Sequence, residues 1–188
     1  MRRVAALGVV ILAITGCRPF ESPSTGAGPL RLGVNMHPMQ SIYDPANVRQ
    51  HVAMARDVGA SIARIDIHWA WMEPIGPGEA RWNPQQVAWL ESFLAEARAS
   101  NLEVLATVMT APCWASSDPG RDCARQAYDW RYGPSDPADF AAFLTLLASR
   151  YRDDIRYWEV WNEPNLPGGW RPVPGPAACP PFPAFRRR

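Results

Sequence analysis

Four short stretches hold residue types that do chemistry together: His37, His68 with Trp69, Thr110 with Trp114, and Asn162 with Glu163. A carboxylic acid can protonate a glycosidic oxygen, an amide beside it can hold a sugar hydroxyl, and indoles stack on the apolar faces of sugars. Glu163 is therefore a candidate acid, Asn162 a candidate hydroxyl contact, and Trp69 and Trp114 the candidate stacking platforms. His37 and His68 are candidate substrate contacts, although interior histidines more often satisfy a neighbouring carboxylate. No CxxC or Cys/His spacing suggests zinc, and neither a metal nor an organic cofactor is expected.

The segments ahead of these residues must position them. Leu30 to His37 is a run of strand formers, Ser61 to Trp69 alternates strictly, and Leu102 to Met109 and Arg156 to Trp161 read as further strands. Between them, helical periodicity predicts helices over Asn47 to Val58, Pro84 to Ser100 and Pro137 to Tyr151. Their apolar stripes are Val48, Val52, Ala55 and Val58; Val87, Leu90, Phe93, Leu94 and Ala97; and Phe140, Phe143, Leu144, Leu147 and Tyr151. Asn83 and Asp136 are N-caps, each followed by proline, and Gly59 ends the first helix. This alternation implies a parallel sheet built from right-handed crossovers.

Parity within the strands narrows the architecture. Ala63, Ile65 and Ile67 share one face of the second strand, and Arg64, Asp66 and His68 the other. The first strand repeats this with Gly33, Asn35 and His37, and the fourth gives Glu159, Trp161 and Glu163 one parity. A doubly wound sheet would be apolar on both faces; a polar inner face fits a barrel whose mouth carries an ionic network. The fold class is thus α/β, the N-terminal half of a TIM (β/α)8 barrel. About four βα units start between residues 30 and 165, where a whole barrel needs about 250 residues.

The remaining chain frames this domain. Arg2 and Arg3 precede an apolar run ending Ile14-Thr15-Gly16-Cys17, so residues 1–17 read as a signal with a lipobox and Cys17 as the lipidation site. Residues 18–29 read as a flexible tether, 30–178 as the partial barrel, and 179–188 as a Pro/Arg-rich tail. The expected location is outside the cytoplasm, lipid-anchored to a bacterial envelope or secreted. Export permits disulfides, and Cys113 and Cys123 flank one loop and are the expected pair. A net charge of +1 from 19 basic and 18 acidic groups argues against a nucleic-acid partner.

Trp158-Glu159-Val160-Trp161-Asn162-Glu163-Pro164-Asn165 closely resembles the fourth-strand signature of glycoside hydrolase clan A, retaining glycosidases on (β/α)8 barrels. It is most similar to the groups numbered 39 and 5, which contain β-xylosidases and endo-glycanases. Gly33-Val34-Asn35 with His37 resembles the first strand. Ala63 to Trp69 with Met72-Glu73-Pro74 resembles the second, and Ala111-Pro112 with Trp114 the end of the third. The resemblance implies that Glu163 is the general acid/base, that Asn162 contacts the substrate 2-hydroxyl, and that Arg64 supports the nucleophile. Arg64 can equally neutralise Asp66 or Glu159. Glu73 reads as loop structure.

The implied activity is hydrolysis of β-linked oligo- or polysaccharide. The alternatives are a non-catalytic carbohydrate-binding surface lipoprotein and an inactive fragment. The clan's nucleophile ends the seventh strand, beyond the four units here, and Glu159 lies about 13 Å from Glu163 along the strand, so it is no substitute. Seven of the 20 prolines fall in residues 166–188, and the sequence past Ala178 is read as out of frame, with a genuine Pro/Arg-rich tail as the alternative. A half barrel exposes two strand edges, so self-association through them is expected. The purified chain should run as an oligomer or melt without cooperativity; a cooperatively melting monomer would contradict the half-barrel expectation.

Overall fold

In the computed structural model, residues 30–38, 45–166 and 168–171 are described, all within a unit spanning Pro29–Pro174. The expected signal with Cys17, the tether and the Pro/Arg-rich tail lie outside the described residues. The elements run β1 (Gly33–Met36), α1 (Pro45–Asp57), β2 (Ile62–His68), α2 (Trp69–Met72), α3 (Pro84–Ala99), β3 (Glu103–Met109), α4 (Pro137–Arg150) and β4 (Ile155–Val160). A short 3₁₀ turn, Glu79–Arg81, precedes α3.

The strands form one parallel sheet in the order β1-β2-β3-β4, with Asn35 opposite Arg64, Asp66 opposite Thr107 and Thr107 opposite Glu159. Sequential parallel neighbours joined by helices are how a (β/α)8 barrel wall is laid down. The described residues form four consecutive strands of such a wall, with the three connections between them. The helices start where their caps dictate. Asn83 and Asp136 accept hydrogen bonds from the backbone N–H groups of Gln85 and Ala138, with Pro84 and Pro137 in the first helical position.

The core lies between the apolar sheet face and these helices. Ala63, Ile65, Ile67, Val104, Ala106 and Val108 meet Val52, Leu90, Phe93, Phe143 and Leu147, all buried. The predicted stripes face this core, with Val87, Phe140 and Leu144 partly buried against it, and with one correction. Val58 is 62% exposed, because α1 ends at Asp57 and Gly59, at φ 79°, turns the chain away. Among the described residues both sheet edges are unpaired, and Leu32, just before β1, and Val160, the last residue of β4, are exposed apolar side chains. No helix among the described residues is long and apolar enough to cross a membrane.

The long β3–α4 connection is a built platform. Cys113 and Cys123 are disulfide-bonded with Cα atoms 5.5 Å apart. Single bridges pair Ser116 with Pro134 and Asp122 with Ala127. The Asp118 carboxylate accepts from the N–H groups of Gly120 and Asp129. Closing a loop of this length removes enough unfolded-state entropy for about 3 kcal/mol of stability. Replacing both cysteines with serine should lower stability by up to that amount in urea unfolding; an unchanged midpoint would show that the bridge does not constrain the loop.

Candidate functional site

The polar face of the sheet carries one connected network. On β2, the Arg64 guanidinium donates to Glu159 on β4 at 2.8 Å, to Asn162 Oδ1 just beyond β4 at 2.9 Å, and to Asn35 Oδ1 on β1 at 3.2 Å. From the intervening β3, the Thr107 hydroxyl donates to the same Glu159 oxygen at 2.5 Å. A side chain that reaches across a whole strand places both partners on one concave face. The amide of Asn162, bonded through its oxygen, leaves its N–H₂ to donate elsewhere.

Nearer the carboxyl ends of β1 to β3, Asp66 is buried between two imidazoles. One carboxylate oxygen bonds His37 Nδ1, and the other lies 2.8 Å from His68 Nε2. His68 Nδ1 in turn lies 3.3 Å from the Thr110 hydroxyl. Burial pushes the Asp66 carboxyl up, but the hydrogen bonds and charge of His68 and His37 outweigh it, and the group is held below its ordinary range.

Glu163 follows Asn162 in the turn after β4. Its side chain is exposed and has no hydrogen bond or ion pair among the described residues. The backbone here is strained: Trp161 has φ 66°, Glu163 φ 48°, and Thr110, at the matching point after β3, φ 61°. Such left-handed angles cost a non-glycine residue about 1–3 kcal/mol and persist only where the surroundings enforce them. The enforcing contacts are visible. Trp161 is buried, donates from Nε1 to the Gly169 carbonyl at 2.7 Å, and meets Trp170 edge-on at 4.6 Å between ring centres. A Cβ on Gly169 would collide with the Glu163 carbonyl, and one on Gly133 with the Trp170 ring. Arg171 joins the turn to the β3–α4 platform, its N–H bonding Arg131 O at 2.9 Å.

The structure corrects one expected site residue. Trp69 is fully buried, stacks on Phe143 at 5.5 Å and donates to the Glu73 carboxylate at 2.8 Å, so it has no face to offer a sugar. The cause is α2, whose single turn starts at Trp69 and ends the strand alternation. Trp114 is half-buried, edge-on to Trp69 at 5.5 Å, and its Nε1 donates to the Glu73 carbonyl. Glu73 is a buried structural carboxylate, accepting from Trp69, Trp82 and the N–H of Gly78.

Sequence reasoning missed the aromatic residues that are open. Trp71 is 41% exposed and stacks on His68 at 3.9 Å; Trp130 is 48% exposed. With Tyr128, Met109, His68 and Thr110 they line a cleft of about 380 Å³ past the ends of β2 and β3. The signal for Trp71 was the helical spacing of Trp69 and Met72, which points those two inward and leaves Trp71 outside; Trp130, in an irregular loop, had none. A larger cavity of about 690 Å³, lined by Arg98, Arg152 and Arg156 among others, lies at the opposite end of the sheet, away from these groups. Among the described residues no group of three His, Cys, Asp or Glu could hold a metal ion.

No protein-family model matches the chain, and no curated protein sequence does. Solved structures that resemble it include the β-glycosidase BGL167, at 23% identity and a TM-score of 0.49 over 65% of this chain and 27% of that one. Fpglu1 from Fervidobacterium pennivoraus matches at 22% identity and a TM-score of 0.47 over 64% and 29%. The psychrophilic β-glucosidase BglU from Micrococcus antarcticus matches at 16% and 0.41 over 64% and 23%. The matched region thus spans under a third of each of those chains.

Because Asp66 is held below its unfolded range, its stabilising effect is complete above the unfolded value of about 3.9 and is lost as pH falls through the lower folded value. Asp66→Asn should therefore flatten the acid limb of stability measured by urea unfolding between about pH 2 and about pH 6. An acid limb identical to that of the unaltered chain would show that the two imidazoles do not hold this carboxylate.

Proposed function

We propose that the chain is part of a retaining glycosidase acting on β-linked oligo- or polysaccharide, with Glu163 as general acid/base and Asn162 as the contact to the sugar hydroxyl beside the scissile bond. The observation that carries this reading is the pairing of an anchored amide with a free carboxylate. Asn162 is oriented by Arg64, while the next side chain, Glu163, is exposed and unpaired among the described residues, at the carboxyl end of a parallel strand. That end is where barrel enzymes keep their reacting groups. Glu163 would give its proton to the leaving oxygen and then, as carboxylate, take one from the water that releases the sugar. The Cys113–Cys123 disulfide supports an exported location, lipid-anchored through Cys17 or secreted.

Retention needs a second carboxylate about 5–5.5 Å from the first. Asp66 is held by two imidazoles and Glu159 by Arg64 and Thr107. Neither is free to attack an anomeric carbon, so the nucleophile comes from outside the described residues. The same observation favours the second reading, a carbohydrate-binding protein without turnover.

Hydrolysis of 4-nitrophenyl β-glycosides separates the two. A catalytic Glu163 predicts that Glu163→Gln loses about 10²-fold or more in kcat while sugar binding persists. An unchanged rate removes Glu163 as the acid, and absence of turnover by the unaltered chain leaves the binding reading.

A further inference from the structure

Two left-handed residues flank Asn162, Trp161 at φ 66° and Glu163 at φ 48°, and Glu163 has a second reason to leave that region. Pro164 follows it, and a proline pushes the residue before it toward extended angles of about −120°. The turn therefore relaxes unless something outside it resists, and the residues at stake are the ones that aim the candidate acid. The resistance comes from the segment that folds back over the turn. The Leu166 N–H bonds the Glu163 carbonyl at 3.0 Å, and the N–H groups of Gly169 and Trp170 bond the Leu166 carbonyl at 2.9 and 3.0 Å. Gly169 packs so closely on the Asn162 and Glu163 carbonyls that no side chain fits there. The Trp161 indole donates to the Gly169 carbonyl from the other side.

Trp170 ties this fold-back to a different part of the chain. Its ring meets Trp161 edge-on and also lies on Gly133 of the β3–α4 platform, where a Cβ would sit 2.3 Å from the indole Cη2 atom. Gly133 takes no left-handed angle, so its missing side chain serves the indole and not the backbone. Beside it, Arg171 bridges in parallel to Tyr132, and the Asp129 carboxylate pairs with Arg131 at 2.7 Å and Arg171 at 3.6 Å. The platform is itself fixed by the disulfide and by the Asp118 hydrogen bonds. Trp170 is thus a strut between a braced loop and a strained one.

We infer that Trp170, seated on Gly133, is a positioning residue that holds Glu163 in its left-handed backbone angle and so aims the carboxyl group at the oxygen it would protonate. The inference rests on the reading of Glu163 as general acid, whereas the clamp itself is a property of the fold. Trp170 acts only through the turn. Without the strut, Glu163 relaxes toward the extended angles that Pro164 favours, and its carboxyl group swings away from the amide of Asn162.

The clamp and the chemistry can be read separately. In the isotope-labelled full chain, the NMR coupling between the amide and α protons of Glu163 reports its φ angle. Trp170→Ala, and Gly133→Ala, which displaces the indole from the opposite side, should both move that coupling into the extended range; Trp170→Phe, which keeps a ring, should preserve it. Thermal melting checks that each variant folds. For the chemistry, kcat/KM is compared between a phenyl β-glycoside, whose leaving oxygen needs the proton, and a 2,4-dinitrophenyl β-glycoside, whose leaving group departs as the anion. Both alanine variants should lose about 10²-fold on the phenyl substrate, the cost of misplacing a reacting group by about 1 Å, and far less on the dinitrophenyl one. A Glu163 coupling unchanged in the folded alanine variants overturns the clamp. A changed coupling with equal losses on both substrates overturns the positioning of the acid. If the unaltered chain hydrolyses neither glycoside, the general-acid reading and the positioning role fail together, and the coupling alone decides the clamp.

Discussion

Arg64 lies on the second strand, yet its guanidinium bonds the fourth strand at Glu159, the turn beyond it at Asn162 and the first strand at Asn35. A sheet face bearing Arg64, Asp66, Thr107 and Glu159 cannot be packed beneath apolar helices without stranding charge. It faces away from the helices, where the charges answer one another. The other face, uniformly small and aliphatic on β2 and β3, takes the helices. One side of the sheet therefore holds the fold together, and the other positions polar groups. The fork of Arg64 links the two roles, since it fixes the strand that ends in Asn162 and Glu163.

The turn after β4 is shaped by strain and by its compensation. Trp161 and Glu163 both take left-handed backbone angles, which reverses the parity a plain strand would continue. Trp161 turns into a buried aromatic cluster with Phe140 and Trp170, and Glu163 is left at the surface. Packing offsets the backbone cost: the indole hydrogen bond to Gly169, the close approach permitted by Gly169 and Gly133, and the strap from Arg171 to Arg131. Loops after β3 and β4 are thereby one unit, braced by the Cys113–Cys123 bridge.

Much of this was legible in the chain itself. Strand parity gave the polar and apolar faces, because a period of two leaves no other arrangement once one face is buried. The Asn83-Pro84 and Asp136-Pro137 pairs marked helix starts to the residue. Of the alternatives for Arg64, the geometry shows the ion pair with Glu159. The aromatic residues were less legible. Trp69 and Trp71 are two residues apart, and a strand would place them on one face; the one-turn helix α2 sends the first into the core and leaves the second exposed. Trp130 owes its position to long-range ties, the disulfide and the Asp118 hydrogen bonds, which leave no periodic trace.

Arg64 and Glu159 act as a unit across the sheet. A double-mutant cycle in urea unfolding, with Arg64→Met, Glu159→Gln and both together, measures this directly. Their side chains are 30% and 44% exposed, so solvent screens the pair, and the expected coupling is about 1 kcal/mol, the upper end for exposed pairs. Effects that add to within about 0.3 kcal/mol would contradict it, and would leave the position of Asn162 without a cause on the second strand.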